Sequence, residues 1–341
     1  MSGQHLGTPA EEDSVRQSLD VVVPIYNEFE ILPELHSRLS DVLENEPLDW
    51  RTLYVDDGSS DGSANIIRDI AQRDSRVGGV LLSRNFGQQM AIAAGLSVSS
   101  ADAVVVMDGD LQDPPEVIPR LLKKWRDGYD VVYAIKKDRK ESWPKRMLFG
   151  LFYWILEKLS PLDIPRHAGN FSIMDRSVVE VLQQMPERHR FISGLRAYVG
   201  GRQTGIEFER AKRFSGDPRQ SPAKLVGMAL DAFFSFSKLP LRLATGLGFV
   251  VSGVAFVVLL NVLYQKLVTG EAILGWASIM TSILFLGGVQ LLALGIVGEY
   301  IGRIYSEAKE RPAFVIGEYC NLHCEDVPWS ASLDRDDVRA F

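Results

Sequence analysis

Residues 103–116 read AVVVMDGDLQDPPE. Ala103–Met107 is an unbroken apolar, Val-rich run, the composition of a strand buried on both faces. An acidic turn follows at once, Asp108-Gly109-Asp110-Leu111-Gln112, and Pro115–Arg126 then takes the period of a helix. The same rhythm repeats on either side. Leu19–Pro24 (LDVVVP) predicts a strand and Glu28–Leu43 a helix; Thr52–Val55 a strand and Asp61–Asp74 a helix; Val77–Ser83 a strand and Gln88–Ser97 a helix; Asp130–Ala134 one more strand. Alternation of this kind builds an α/β fold around a mostly parallel sheet, with ligands at the carboxyl ends of the strands. The polar clusters fall at those ends: Tyr26-Asn27-Glu28, Asp56-Asp57-Gly58-Ser59, Arg84-Asn85 and Asp108-Gly109-Asp110.

The composition narrows the field. The chain has 341 residues, 46% of them hydrophobic and 24% charged, which excludes a wholly disordered protein. A net charge of −7 argues against a nucleic-acid binder. Two cysteines, Cys320 and Cys324, exclude a disulfide framework. A mean hydropathy of +0.01 is high for so charged a chain and points to a polar part joined to a very apolar one.

That apolar part is 243–264 and 272–298, runs of 22 and 27 residues without a charge. About 20 helical residues cross a bilayer core, so both are read as transmembrane helices. Lys224, Lys238 and Arg242 precede the first run, and Arg303, Lys309 and Arg311 follow the second. The positive-inside rule then puts both termini in the cytoplasm of an inner or plasma membrane. The expected organisation is a flexible leader (1–17), a cytosolic catalytic domain (18–220), an interfacial amphipathic helix (221–242), the two spans, and a cytosolic tail (299–341), disordered or loosely packed after Pro312. Lys145–Lys158 is a second candidate for the membrane surface.

Alternating oxygen side chains after the 103–107 strand suit one hard cation, Mg²⁺ or Mn²⁺, held by Asp108, Asp110 and Gln112; the plain alternative is a loop with a capping Asp. Asp56 and Asp57 could accept hydrogen bonds from a base or a ribose, while Ser60 or Asp61 could simply cap the next helix. No GxxxxGK[ST] and no GxGxxG occurs, so ATPase and dinucleotide readings lose support. Cys320, His323 and Cys324 are too tightly spaced for a good tetrahedral zinc site.

VVVPIYNE (21–28), VDDGSSDGS (55–63), LSRNFGQQMAIAAGL (82–96) and MDGDLQDPPE (107–116) closely resemble glycosyltransferase family 2. The branch resembled is that of the polyisoprenyl-phosphate glycosyltransferases, including dolichyl-phosphate mannose synthases and bactoprenol glucosyltransferases. The resemblance implies a GT-A domain followed by two membrane helices, and inverting transfer of a sugar to a polyisoprenyl phosphate with Mg²⁺ or Mn²⁺. Glucose from UDP-glucose and undecaprenyl phosphate are the first expectation; GDP-mannose, UDP-GlcNAc and UDP-modified arabinose are the other donors. A homo-oligomer is expected. Pro24, Tyr26, Glu28, Asp56, Asp57, Arg84 and Asp108 would line the nucleotide-sugar site. Asp110, Arg213 and Arg139 would carry catalysis, with Arg146, Arg190, Arg213 and Arg219 as candidates to hold the acceptor phosphate. Gly169-Asn170-Phe171 stands where many relatives have Gly-Asp-Phe, so no carboxylate is available there. A processive polysaccharide synthase is disfavoured by the lack of Gln-x-x-Arg-Trp and by too few spans. A non-catalytic scaffold would be expected to lose the Asp108 and Asp110 carboxylates.

Overall fold

A computed structural model of the chain describes residues 17–136, 168–185, 187, 190–209, 239–264, 267–268 and 275–322. Its centre is four parallel strands, β1 (Ser18–Ile25), β2 (Asp49–Asp56), β3 (Val77–Leu82) and β4 (Ala103–Val106). Between them lie α1 (Leu32–Leu43), α2 (Ser63–Arg73) and α3 (Gln88–Ser97). A short 3₁₀ turn and α4 (Ile118–Arg126) lead to β5 (Val131–Lys136); β6 (Ala168–Asp175), α5 (Arg176–Gln184), α6 (Ile192–Val199) and β7 (Gln203–Phe208) follow. Two long helices, α7 (Leu239–Tyr264) and α8 (Trp276–Ala308), precede β8 (Ile316–Cys320).

The strand order is β7-β5-β6-β4-β1-β2-β3-β8. β6 runs antiparallel to β4 and β5, and β8 antiparallel to β3, so the sheet is mixed where a mostly parallel one was expected. The α/β architecture expected of a GT-A domain is present. Helices cover both faces. On one face α1 sets Leu32, Leu35, Leu39 and Leu43 on a single stripe, beside Ile67 of α2 and Leu121 of α4. On the other face lie α3, α5 and α6, with Ile92, Val179 and Leu195 against Val22, Val104 and Val106. α3 is buried almost all round because it is built of small residues. A Cβ on Gly95 would overlap the Val22 side chain, so the helix can lie this close to β1 only with glycine there.

Helix starts shift from the sequence expectation. α1 begins at Leu32 rather than Glu28, because Ser63 Oγ and the Asp61 carboxylate hold the backbone N–H groups of Glu28 and Phe29 in the preceding turn. The expected loose tail is corrected more substantially. Residues 316–320 form an edge strand on β3, and the Asn321 side-chain amide donates to the carbonyls of Ser75 and Val77 at 3.1 and 2.7 Å. Arg68 of α2 pairs with Glu318 at 2.8 Å. Cys320 lies on this strand, where burial pushes its thiol pKa up; His323 and Cys324 lie outside the described residues.

The apolar runs 243–264 and 272–298 fall largely within two helices, α7 and α8, which touch one another; α8 continues ten residues past the expected end at 298. Among the described residues, Phe285–Ala308 is long and apolar enough to cross a membrane, and Ala244–Val258 is a shorter apolar stretch.

Gly95→Ala is expected to destabilise the domain by about 1–3 kcal/mol, since a methyl group enters a packed contact. Arg68→Ala, at a half-exposed pair, should cost under about 1 kcal/mol. Thermal unfolding of the detergent-solubilised chain would rank the two; equal effects would contradict this view of the α3–β1 packing.

Candidate functional site

The carboxyl ends of the parallel strands β1, β2, β3 and β4 lie along one edge of the sheet, and a chain of hydrogen bonds ties them together. Gly58 makes the turn after β2, with φ +67° and a Cβ position only 2.5 Å from the Arg84 backbone; a side chain there would push the β2 and β3 ends apart. Asp57 uses this closeness. Its carboxylate accepts from the Phe86 N–H at 2.7 Å and the Gly87 N–H at 3.0 Å, while its own N–H donates to the Ile25 carbonyl at 2.8 Å. Burial raises the Asp57 pKa, partly offset by those two amides. Asp57 thus braces the turn into α3. Asp56 is equally buried at 3% exposure. Its Oδ2 accepts from the Ser59 N–H at 3.1 Å, and its Oδ1 has no hydrogen-bond partner among the described residues. A buried acceptor oxygen at a strand end can take an N–H or O–H from a ligand.

On the other side of Asp57, Asn27 has left-handed backbone (φ 54°) and exchanges hydrogen bonds with Ser59 and Ser60. This turn presents Tyr26, 43% exposed, and the half-buried Glu28 at the rim; Pro24 is buried within β1. Arg84 is exposed, its guanidinium 4.6 Å from the centroid of the Phe86 ring.

Asp108 and Asp110 both lie half-buried just past β4. Gly109 between them sits where a Cβ would be 3.1 Å from the Pro24 carbonyl oxygen, and Leu111 takes φ 56° to complete the turn. Gln88 Nε2 donates to Asp108 Oδ1 at 2.7 Å. Gln112 donates its amide to Asp110 Oδ2 at 2.7 Å and its backbone N–H to Asp110 Oδ1 at 3.1 Å, so it orients that carboxylate. Two carboxylates on one tight turn suit a hard divalent cation. Among the described residues no third His, Cys, Asp or Glu joins them.

β6 borders the cleft beyond β4. Val106 pairs with Ser172, which puts Gly169 and Asn170 beside the 108–110 turn. Asn170 Oδ1 accepts from Gln89 Nε2 at 3.3 Å and Ser193 Oγ at 3.4 Å, and Gln89 Oε1 accepts from the Ile192 N–H at 2.8 Å. The first turn of α3 therefore links Asp108, through Gln88, to Asn170, through Gln89. Arg190 spends Nε and Nη2 on the carbonyls of Glu187 and Met185, and burial lowers its pKa. The structure thus brings Pro24, Tyr26, Glu28, Asp56, Asp57, Arg84, Asp108, Asp110 and Gln112 to one edge of the sheet. Arg139, Arg146, Arg213 and Arg219 lie outside the described residues, as do 145–158 and most of the interfacial helix expected over 221–242, whose residues 239–242 belong to α7. Gln88, Gln89 and Ser193 are contributors that sequence reasoning missed; the adjacent polar pair opening the otherwise apolar α3 was a signal for the two glutamines, and nothing in the sequence marked Ser193.

Glycosyl transferase family 2 matches residues 20–182, and the family described as GtrB C-terminal hairpin matches 239–304. A glycosyltransferase of Synechocystis is 42% identical over 305 residues, 89% of this chain and 96% of its own length. The prophage bactoprenol glucosyl transferase homolog of Escherichia coli is 39% identical over 299 residues, 87% of this chain and 98% of its own. Among solved structures, glucosyl-3-phosphoglycerate synthase from Mycobacterium tuberculosis, in complex with Mn²⁺, UDP and glucosyl-3-phosphoglycerate, gives a TM-score of 0.42 at 18% identity, covering 64% of this chain and 78% of that one.

Asp57→Asn gives a pH test. A carboxyl whose folded pKa is raised binds its proton more tightly in the folded chain, so its contribution to stability is largest in acid. That contribution falls as pH rises from the ordinary carboxylate value through the raised one. The native chain should show this downward slope and Asp57→Asn should lack it, read as unfolding midpoint against pH. An unchanged slope would contradict the buried setting of Asp57.

Proposed function

The chain belongs to glycosyl transferase family 2, and on that premise we propose that it moves a glucosyl group from UDP-glucose to a polyprenyl phosphate, undecaprenyl phosphate first among them. The observation carrying this reading is the union, in one chain, of the Asp108/Asp110 cleft with long apolar helices. Relatives 39–40% identical are named bactoprenol glucosyl transferases.

The chemistry suits the residues. A phosphate monoester is already largely ionised at neutral pH, with its second pKa about 6. It can attack the anomeric carbon without a general base, which a sugar hydroxyl would require. An amide at Asn170, in place of a carboxylate, is compatible with such a nucleophile. The leaving UDP carries the charge to be offset. Asp108 and Asp110 would hold Mg²⁺ or Mn²⁺ against the diphosphate, the ion supplying positive charge as the glycosidic bond breaks. Gln88 and Gln112 keep the two carboxylates aimed. Asp56 Oδ1 would accept from the nucleoside, with Tyr26 at the rim beside it. Arg213 and Arg139 are the proposed holders of the acceptor phosphate, with Arg146 and Arg219 beside them.

Anchoring follows from the acceptor, whose phosphate stays at the membrane surface while its polyprenyl tail stays in the lipid. Phe249 and Val257 of α7 and Leu291 and Leu294 of α8 are each more than 60% exposed, an apolar surface that a bilayer would cover. We read both helices as spans, with the catalytic domain and both termini cytoplasmic and Arg303, Lys309 and Arg311 on that side.

The test incubates the purified chain with Mg²⁺, undecaprenyl phosphate and labelled UDP-glucose, and counts label extracted into organic solvent. Asp110→Ala should lose at least about 100-fold in rate, the scale of losing charge stabilisation in a transition state, and a chelator should stop the native chain. Full activity in that variant would contradict the metal role. Label carried only by GDP-mannose, UDP-GlcNAc or a UDP-modified arabinose would replace glucose as the sugar.

A further inference from the structure

Arg196 of α6 is 1% exposed. Its Nη2 reaches the Gly169 carbonyl at 3.4 Å, its Nη1 has no hydrogen-bond partner among the described residues, and its guanidinium lies 5.5 Å from the centroid of the Tyr133 ring. No carboxylate among the described residues forms an ion pair with it, and burial lowers its pKa to about 10. Elsewhere the fold matches a buried charge closely. Asp20, 2% exposed, takes two bonds from Arg51 and one from the Ser100 N–H. With so little matching among the described residues, this buried cation is suited to take a counter-charge from something that binds.

Its position says where. Ser193 and Arg196 stand one turn apart on α6, and both reach Gly169. Gly169 and Asn170 border the 108–110 turn, and Asn170 joins Gln89, whose neighbour Gln88 holds Asp108. The guanidinium thus stands on the Gly169 carbonyl, next to the residue that links β6 to α3, and in a buried setting its field reaches further than it would through water.

We propose that Arg196 is a positioning residue whose buried charge draws a phosphate oxyanion against the Gly169–Asn170 edge of the cleft. The inference rests on the substrate reading above. Two substrates carry that chemistry, the diphosphate of the donor and the phosphomonoester of the acceptor.

The experiment compares the full chain in detergent with Arg196→Met and Arg196→Lys. Thermal unfolding is read for each without ligand, with UDP and Mg²⁺, and with a short-chain prenyl phosphate. Ligand-linked stabilisation reports binding without turnover, so it can succeed even if glucosyl transfer fails, and the two ideas fail separately. Arg196→Met should melt no lower than the native chain when empty, because an unmatched charge has been removed. It should bind one of the two ligands at least tenfold more weakly, and Arg196→Lys should recover most of that loss. A loss confined to UDP assigns the donor diphosphate; a loss confined to the prenyl phosphate assigns the acceptor. A Met variant that fails to fold, or that melts lower while keeping both ligand shifts, overturns the proposal, because the charge would then serve the fold itself.

Discussion

The carboxylate of Asp57, closed over the backbone N–H groups of Phe86 and Gly87, is the tie on which the site depends. It joins the end of β2 to the turn that launches α3, and that turn decides where Gln88 and Gln89 stand. Gln88 then reaches Asp108 after β4, and Gln89 reaches Asn170 at the start of β6. One brace therefore joins the ends of β2 and β3 and, through Gln88 and Gln89, connects them to the end of β4 and the start of β6. It works because glycine at 58 lets the β2 turn lie against the Arg84 backbone. The cost is a carboxylate held out of water; the two amides offset part of it, which is why the group remains harder to ionise than an ordinary Asp.

The division of labour between adjacent residues follows from the same geometry. Successive residues at a strand end point to opposite sides. Asp57 holds backbone with both oxygens, while its equally buried neighbour Asp56 keeps one oxygen unmatched among the described residues. In the 108–112 turn, Asp108 is steadied from outside by Gln88 and Asp110 from within by Gln112. Carboxylates that must meet a highly charged ligand gain from being aimed beforehand, since less ordering remains to be done on binding.

The central four strands and their helices were legible because each is local: a Val-rich run, a polar turn, an amphipathic stripe. Gln88–Ser97 matches α3 residue for residue, even though its buried surface goes almost all round. β6 and β8 were not legible. Their antiparallel pairings join residues far apart in the chain, and IGEYC at 316–320 carries too mixed a pattern to announce a strand. Among site residues, the DxD and the pair at 56–57 were visible as types, but not the split of Asp57 into a brace. Arg196 was invisible: a single Arg in ISGLRAYV reads as a surface charge until the packing of α6 on β6 is known.

β8 has a consequence for how the molecule is divided. The polypeptide leaves the sheet, runs through α7 and α8, and returns to complete the same sheet beside β3. The apolar hairpin is therefore an excursion inside the catalytic unit rather than an appendage after it. Cutting the chain ahead of α7 would strip the outer neighbour from β3 and leave a bare row of backbone donors and acceptors, an invitation to self-association. Soluble fragments of this enzyme would start life with an open seam, and a faithful one would need the last strand stitched back on.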